Sequence, residues 1–152
     1  MPKKGYQLLL NLNEHNLYTI LIGADKEYAK SKNTLILNRT VQSKLKEFYQ
    51  LSDLFILPSN GEGFPLSIQE AMASGLPIVT TRNPGYEKLL NKDIVEYTKP
   101  NTKQINKTIQ ALMKNKKKLS SMGKKARTYV VENFSWNKNI KNIFKIYKEF
   151  SL

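Results

Sequence analysis

Strands that alternate with helices and then give way to helices alone predict an α/β protein, a Rossmann-like doubly wound parallel sheet with a helical C-terminal extension. Three observations carry this. Short apolar and β-branched runs recur at residues 17–22, 34–37, 54–57 and 78–80. Stretches with apolar residues at helical spacing lie between them. After Pro100 only helical spacing remains.

The elements follow in order. Tyr6, Leu9, Leu10 and Asn13 share one helical face within residues 5–13, and residues 17–22 form a strand ending at Gly23. Residues 34–37 form a second strand after a Lys-rich connection. Val41, Leu45, Phe48 and Tyr49 mark a helix of about three turns. Residues 54–57 are the third strand, stopped by Pro58. The central helix is expected over residues 65–74, with Pro65 at its first position, Gly75 at its end and Pro77 just beyond. Residues 78–80 are the fourth strand, and Asn83-Pro84-Gly85 is a turn before a short helix at 86–90. Residues 94–97 form a last, edge strand. Three helices close the chain, marked by Ile105, Ile109, Leu112 and Met113, by Leu119, Met122, Ala126 and Tyr129, and by Trp136, Ile140, Phe144 and Tyr147. The bulky side chains of these helices are expected as core or interface anchors.

At 152 residues the sequence suits one domain, residues 1–152, with an α/β core over about 1–98 and the extension over about 99–152. A hydrophobic fraction of 40% and mean hydropathy of -0.48 describe a water-soluble chain, with no apolar run near the roughly 18 residues of a membrane span. Asn11, Asn13, Glu14 and His15 interrupt the first apolar patch before any leader-like cleavage site, so a cytoplasmic location is expected. With no Cys and a single His, the sequence has no thiolate metal site and no His cluster. His15 falls at a helix–strand turn without a catalytic partner.

The net charge of +13 is unevenly distributed. Residues 1–98 carry 11 Lys and Arg against 10 Asp and Glu, whereas residues 99–152 carry 14 against 2. The Lys114–Lys118 run and Lys124, Lys125 and Arg127 are read as a solvated helix face, and no interleaved aromatic platform points to nucleic acid. A basic face is also attracted to anionic lipid, by about 1 kcal/mol per cation, which leaves peripheral membrane contact through these helices open.

The chemistry concentrates in residues 54–80. Ligands of open α/β sheets bind beyond the carboxyl ends of the strands, where the loop 58–64 lies. Pro65 leaves the N–H groups of Leu66 and Ser67 unpaired at a helix N-terminus, whose dipole favours an anion such as phosphate. Gly61 and Gly63 allow close backbone approach on either side of Glu62. Glu70 rises from the helix face above that terminus, and carboxylates accept hydrogen bonds from vicinal hydroxyls. A diphosphate flanked by a sugar and a ribose fits this layout. So does a stable βα unit in which Glu62 favours the helix dipole and Glu70 is a solvated charge.

The segment Glu62-Gly63-Phe64-Pro65-Leu66, then Glu70-Ala71-Met72-Ala73-Ser74-Gly75-Leu76-Pro77-Ile78-Val79, resembles the signature of the retaining GT-B glycosyltransferases known as glycosyl transferases group 1, or family 4. Seven residues separate the two glutamates. Lys4-Gly5, Ile20-Leu21-Ile22-Gly23, residues 41–59 and Phe134-Ser135-Trp136 extend the resemblance along nearly the whole chain. It covers the C-terminal, donor-binding domain of a two-domain enzyme. Asn83-Pro84-Gly85-Tyr86-Glu87 stands where the family often carries a Gly-Gly turn.

The resemblance implies a nucleoside-diphosphate sugar as donor substrate, with no cofactor and no metal. Glu62 is then the catalytic candidate, contacting hydroxyls of the transferred sugar. Donor contacts are implied for Lys4, Gly61, Gly63, Phe64, Pro65, Leu66 and Ser67 around the diphosphate, for Glu70 at the ribose, and for Arg39 at the base or a phosphate. A basic side chain and a helix terminus would stabilise the leaving diphosphate. The family's Arg, about one helical turn before the Lys, has no counterpart in the sequence. An acceptor-binding N-terminal domain or partner chain is expected to complete the enzyme, with negligible transfer without it. The alternative is a stand-alone nucleotide-sugar-binding or interaction module.

Overall fold

A computed structural model describes residues 4–10, 12, 17–24, 33–37 and 40–150. The elements are α1 (Tyr6–Leu10), β1 (Thr19–Ile22), β2 (Thr34–Leu37), α2 (Gln42–Leu51), β3 (Phe55–Leu57), α3 (Leu66–Ala73), β4 (Ile78–Thr81), β5 (Val95–Thr98), α4 (Thr102–Met113), α5 (Lys116–Phe134) and α6 (Trp136–Phe150). The expected Rossmann-like α/β architecture is present, with every strand pairing parallel.

Three local expectations need correction. The sheet is divided: β1 pairs with β2, and β3, β4 and β5 form a second ladder. The two ladders meet through side chains, with Leu54 and Ile56 packed against the cluster of Leu9, Leu21, Ile105 and Ile109. The segment 86–90 is a run of turns rather than a helix. Its bonds mix two reaches, with Tyr86 and Glu87 both donating to the Asn83 carbonyl at 3.1 and 2.8 Å, so no regular ladder propagates. The apolar face of α6 is not core, since none of its residues is buried and Trp136 is 79% exposed.

The core explains which helices cover which face. All four residues of β4 are buried, as a central parallel strand requires. Ile78 points into a cluster with Ile68 and Met72 of α3, Val95 of β5, and Ala126 and Val130 of α5. Val79, one residue on, points the other way and meets Leu112 of α4 and Met122 of α5. Buried Tyr86 closes the first cluster, its hydroxyl donating to the Thr81 carbonyl at 2.9 Å and lying 2.8 Å from the Thr80 hydroxyl.

α5 is held against the end of α3 by a contact that only glycine permits. A Cβ on Gly123 would collide with the Gly75 carbonyl and crowd Pro77. Arg127 donates to the Ala73 carbonyl, placing a cation at the C-terminus of α3, where the helix dipole favours one. Two lysines of α5 are paired with acids around β5, Lys118 with Glu96 at 2.6 Å and Lys125 with Asp93 at 3.2 Å.

Candidate functional site

Two segments press on the loop 58–64, which links β3 to α3. Gly5, at φ +66°, presses on the Pro58 carbonyl so closely that a Cβ there would overlap it. Gly85 presses from another side, where a Cβ would overlap the Glu62 carbonyl and lie 2.7 Å from the Gly63 oxygen. The turn bearing Gly85 is braced by buried Asn83, whose Oδ1 accepts from the Gly85 N–H at 3.2 Å. Docking of Gly5 brings Lys4 Nζ to 3.5 Å from Glu62 Oε1, with Glu62 the more enclosed partner. Lys4 and Glu62, 58 positions apart in the chain, share one site.

Pro65 is the N-cap of α3 rather than its first helical residue: its ψ of 134° is extended, because the turn begins only with Leu66. The expected consequence is unchanged. Ile68 and Gln69 donate to the Pro65 carbonyl at 3.1 and 3.3 Å, and the N-cap residue supplies no side-chain cap. The N–H groups of Leu66 and Ser67 are therefore the ones that helix geometry cannot satisfy internally. The Phe64 ring is turned inward, 4.9 Å from the Phe134 ring in an edge contact and 6.3 Å from Tyr86, so Phe64 offers a ligand only its backbone. The buried Ser59 hydroxyl at the root of the loop has no hydrogen-bond partner among the described residues.

Glu70 is half-buried rather than a free surface charge. The Tyr49 hydroxyl donates to its Oε2 at 3.1 Å and lies 3.5 Å from the Ser67 carbonyl. Burial, then the Glu70 charge and the hydrogen bond to it, hold the Tyr49 hydroxyl well above the ordinary tyrosine range. Lys4, Tyr49, Ser67 and Glu70 all line a crevice of about 610 Å³ between β1 and β3. That volume suits a small-molecule site. Around the loop lie a cation, two carboxylates and an unpaired helix terminus, groups suited to an anion flanked by hydroxyls.

The sequence profile described as Glycosyl transferases group 1 matches residues 2–129, most of the chain. The chain belongs to this family. It is 26% identical to an uncharacterized glycosyltransferase of Methanocaldococcus jannaschii over 165 aligned residues, covering 99% of this chain and 46% of that protein. It is 30% identical to the UDP-Gal:alpha-D-GlcNAc-diphosphoundecaprenol alpha-1,3-galactosyltransferase of Escherichia coli, covering 70% of this chain and 28% of that one. Among solved structures, Anabaena HepE in complex with UDP-glucose superposes with a TM-score of 0.86 at 18% identity, covering 99% of this chain and 46% of that one. At that identity the likeness is one of fold. The chain spans less than half the length of these relatives.

In this group 1 glycosyltransferase chain, the structure brings together Lys4, Gly61, Glu62, Gly63, the backbone of Phe64 and Pro65, and the first turn of α3 with Leu66 and Ser67. Glu70 stands one turn further along α3, over the crevice. Arg39 and His15 lie outside the described residues. Tyr49 is the functional candidate that sequence reasoning missed. Helical spacing marks it only as one more residue on the inner face of α2, and the signal for its polar tip is its packing onto α3.

Proposed function

We propose that the chain is the donor-binding half of a retaining glycosyltransferase, which transfers a sugar from a nucleoside-diphosphate sugar to an acceptor hydroxyl. The observation that carries this reading is the convergence of Lys4, Glu62 and the uncapped N-terminus of α3 on one loop, with Glu70 one turn above, in a group 1 family member. The diphosphate sits against the Leu66 and Ser67 N–H groups and Lys4. Glu62 accepts from hydroxyls of the transferred sugar, and Glu70 from the ribose. Breaking the sugar–diphosphate bond leaves charge on the phosphate oxygens, which Lys4 and the fixed N–H dipoles stabilise in place of a metal.

The fold likeness to a chain carrying UDP-glucose and the similarity to an E. coli galactosyltransferase named for UDP-Gal favour a nucleotide sugar. Because the chain spans less than half of its relatives, transfer is assigned to its combination with an acceptor-binding domain or partner chain in the cytoplasm. Acceptor orientation is worth about 7–11 kcal/mol of the barrier, so the donor half alone turns over negligibly. The lysine-lined outer face of α5 and the exposed apolar face of α6 fit peripheral contact with an anionic membrane surface.

Titration of uridine, guanosine and adenosine diphosphate sugars into wild type and Glu70→Ala tests the reading. One series binds wild type, and Glu70→Ala weakens it about tenfold through the lost ribose bonds. Equal affinity of both proteins for every sugar nucleotide removes the ribose assignment. Robust turnover by the chain alone removes the need for a second half.

A further inference from the structure

Among the described residues, Tyr49 is the side-chain donor to the Glu70 carboxylate. Its aromatic ring rests on Phe55, the first residue of β3, with centroids 5.9 Å apart. The tyrosine is thus anchored on the strand that leads into the donor loop, and it reaches across to the helix that leaves it. A glutamate on a helix face has mobile torsions, and ordering such a side chain costs up to about 2 kcal/mol. A donor on Oε2 removes part of that mobility before any ligand arrives, and the other oxygen keeps its lone pairs. The Ser67 carbonyl, 3.5 Å from the same hydroxyl, ties the arrangement to the first turn of α3. Only a protonated phenol can donate in this way, and its enclosure beside a carboxylate keeps it protonated.

We propose that Tyr49 is a positioning residue that presets Glu70 for a vicinal diol, and so sets a preference for ribonucleoside over 2′-deoxyribonucleoside diphosphates. The proposal rests on the reading of Glu70 as the ribose contact. Tyr49 does not touch the donor in this role; it acts by holding one carboxylate oxygen so that the other faces two hydroxyls at once. Without the 2′-hydroxyl, the preset orientation has one partner fewer, and the benefit of presetting falls away.

The test is calorimetric titration of uridine, guanosine and adenosine diphosphates and their 2′-deoxy forms into wild type, Tyr49→Phe, Glu70→Ala and the double variant. Tyr49→Phe keeps the ring on Phe55 and removes only the hydroxyl. The expected result is a roughly fivefold loss of affinity for the preferred ribonucleotide, with the deoxy form unchanged. The double variant then matches Glu70→Ala. If Tyr49→Phe weakens both forms equally, or leaves the ribose preference intact while Glu70→Ala abolishes it, the positioning role is wrong and the donor-site reading stands. If Glu70→Ala retains the ribose preference, or no nucleotide binds wild type, the donor-site reading itself fails and the proposal falls with it.

Discussion

Lys4 Nζ stands 3.5 Å from Glu62 Oε1, so a cation from the first turn of the chain and an acid from the β3–α3 loop are partnered before any ligand binds. The separation exceeds that of a short charge-assisted hydrogen bond, and Lys4 is 46% exposed. Such pairs contribute at most about 1 kcal/mol to stability. Lys4 is thereby kept over the loop, and the proposed function has it exchange this carboxylate for phosphate oxygens.

Lys4→Ala therefore separates binding from stability. The free energy of unfolding in urea changes by less than about 1 kcal/mol. Affinity for the preferred nucleoside diphosphate falls about tenfold at low salt, and by less at high salt, where the cation is screened. Unchanged affinity at both salt concentrations removes Lys4 from the donor site.

Gly85→Ala and Gly123→Ala test two close approaches with different consequences. At Gly85 the new methyl meets the Glu62 and Gly63 backbone, so the loop shifts and nucleotide affinity drops several-fold. At Gly123 the methyl meets the Gly75 carbonyl and parts α5 from α3, costing about 1–3 kcal/mol of stability. Urea denaturation and nucleotide titration on both variants distinguish the two. Equal loss of stability with unchanged binding at Gly85 would show that the loop does not need that contact.

Alkaline pH should loosen the fold through tyrosines. Burial pushes Tyr97 up to about 12 from an ordinary 10.0, Tyr86 and Glu87 act in the same direction, and the Arg82 guanidinium, 4.8 Å over the ring, opposes them. A raised folded-state value means that the native protein holds a proton the unfolded chain releases. Its stabilising contribution is full below pH 10 and is lost as pH rises toward about 12. Tyr49 is shifted in the same direction. Thermal midpoints of Tyr97→Phe should fall less steeply than those of wild type across this window, and parallel curves would remove Tyr97 as a contributor.

Peripheral membrane contact predicts co-sedimentation with anionic liposomes at low salt, and its loss at high salt or with neutral vesicles. Replacing Trp136 and Phe144, which are 79% and 62% exposed, with Ser weakens it. If wild type stays in the supernatant with anionic vesicles at low salt, the contact does not exist.

Much of the candidate site was legible because its residues are close in sequence. Glu62, Pro65 and Glu70 lie within nine residues, where helix geometry fixes their relation, and a one-residue shift of the helix start at Pro65 left the free N–H groups where they were expected. Lys4 was legible only through family resemblance, since no local rule joins it to Glu62. Tyr49 escaped because a helical repeat identifies an inward face but not which hydroxyl meets which carboxylate. Gly85 read as a turn residue, and its closeness to the loop arises only when the chain is folded. The divided sheet was likewise not readable, because strand alternation gives order along the chain and not which edges pair. For α6, periodicity gave the apolar face correctly but could not say what covers it.

The two glycines that press on the loop 58–64 make a particular mark on any survey of variants. Positions 5 and 85 have room for a hydrogen and nothing larger, although neither is assigned a ligand contact. In a saturation library sorted for nucleotide-sugar binding, both would score as intolerant as any residue that touches the ligand, so intolerance alone would enlarge the apparent binding site. Pairing that selection with amide hydrogen exchange across residues 58–64 sorts the positions into two groups. Residues whose loss spares the protection of the loop mark ligand contacts, and residues whose loss deforms the loop mark its frame.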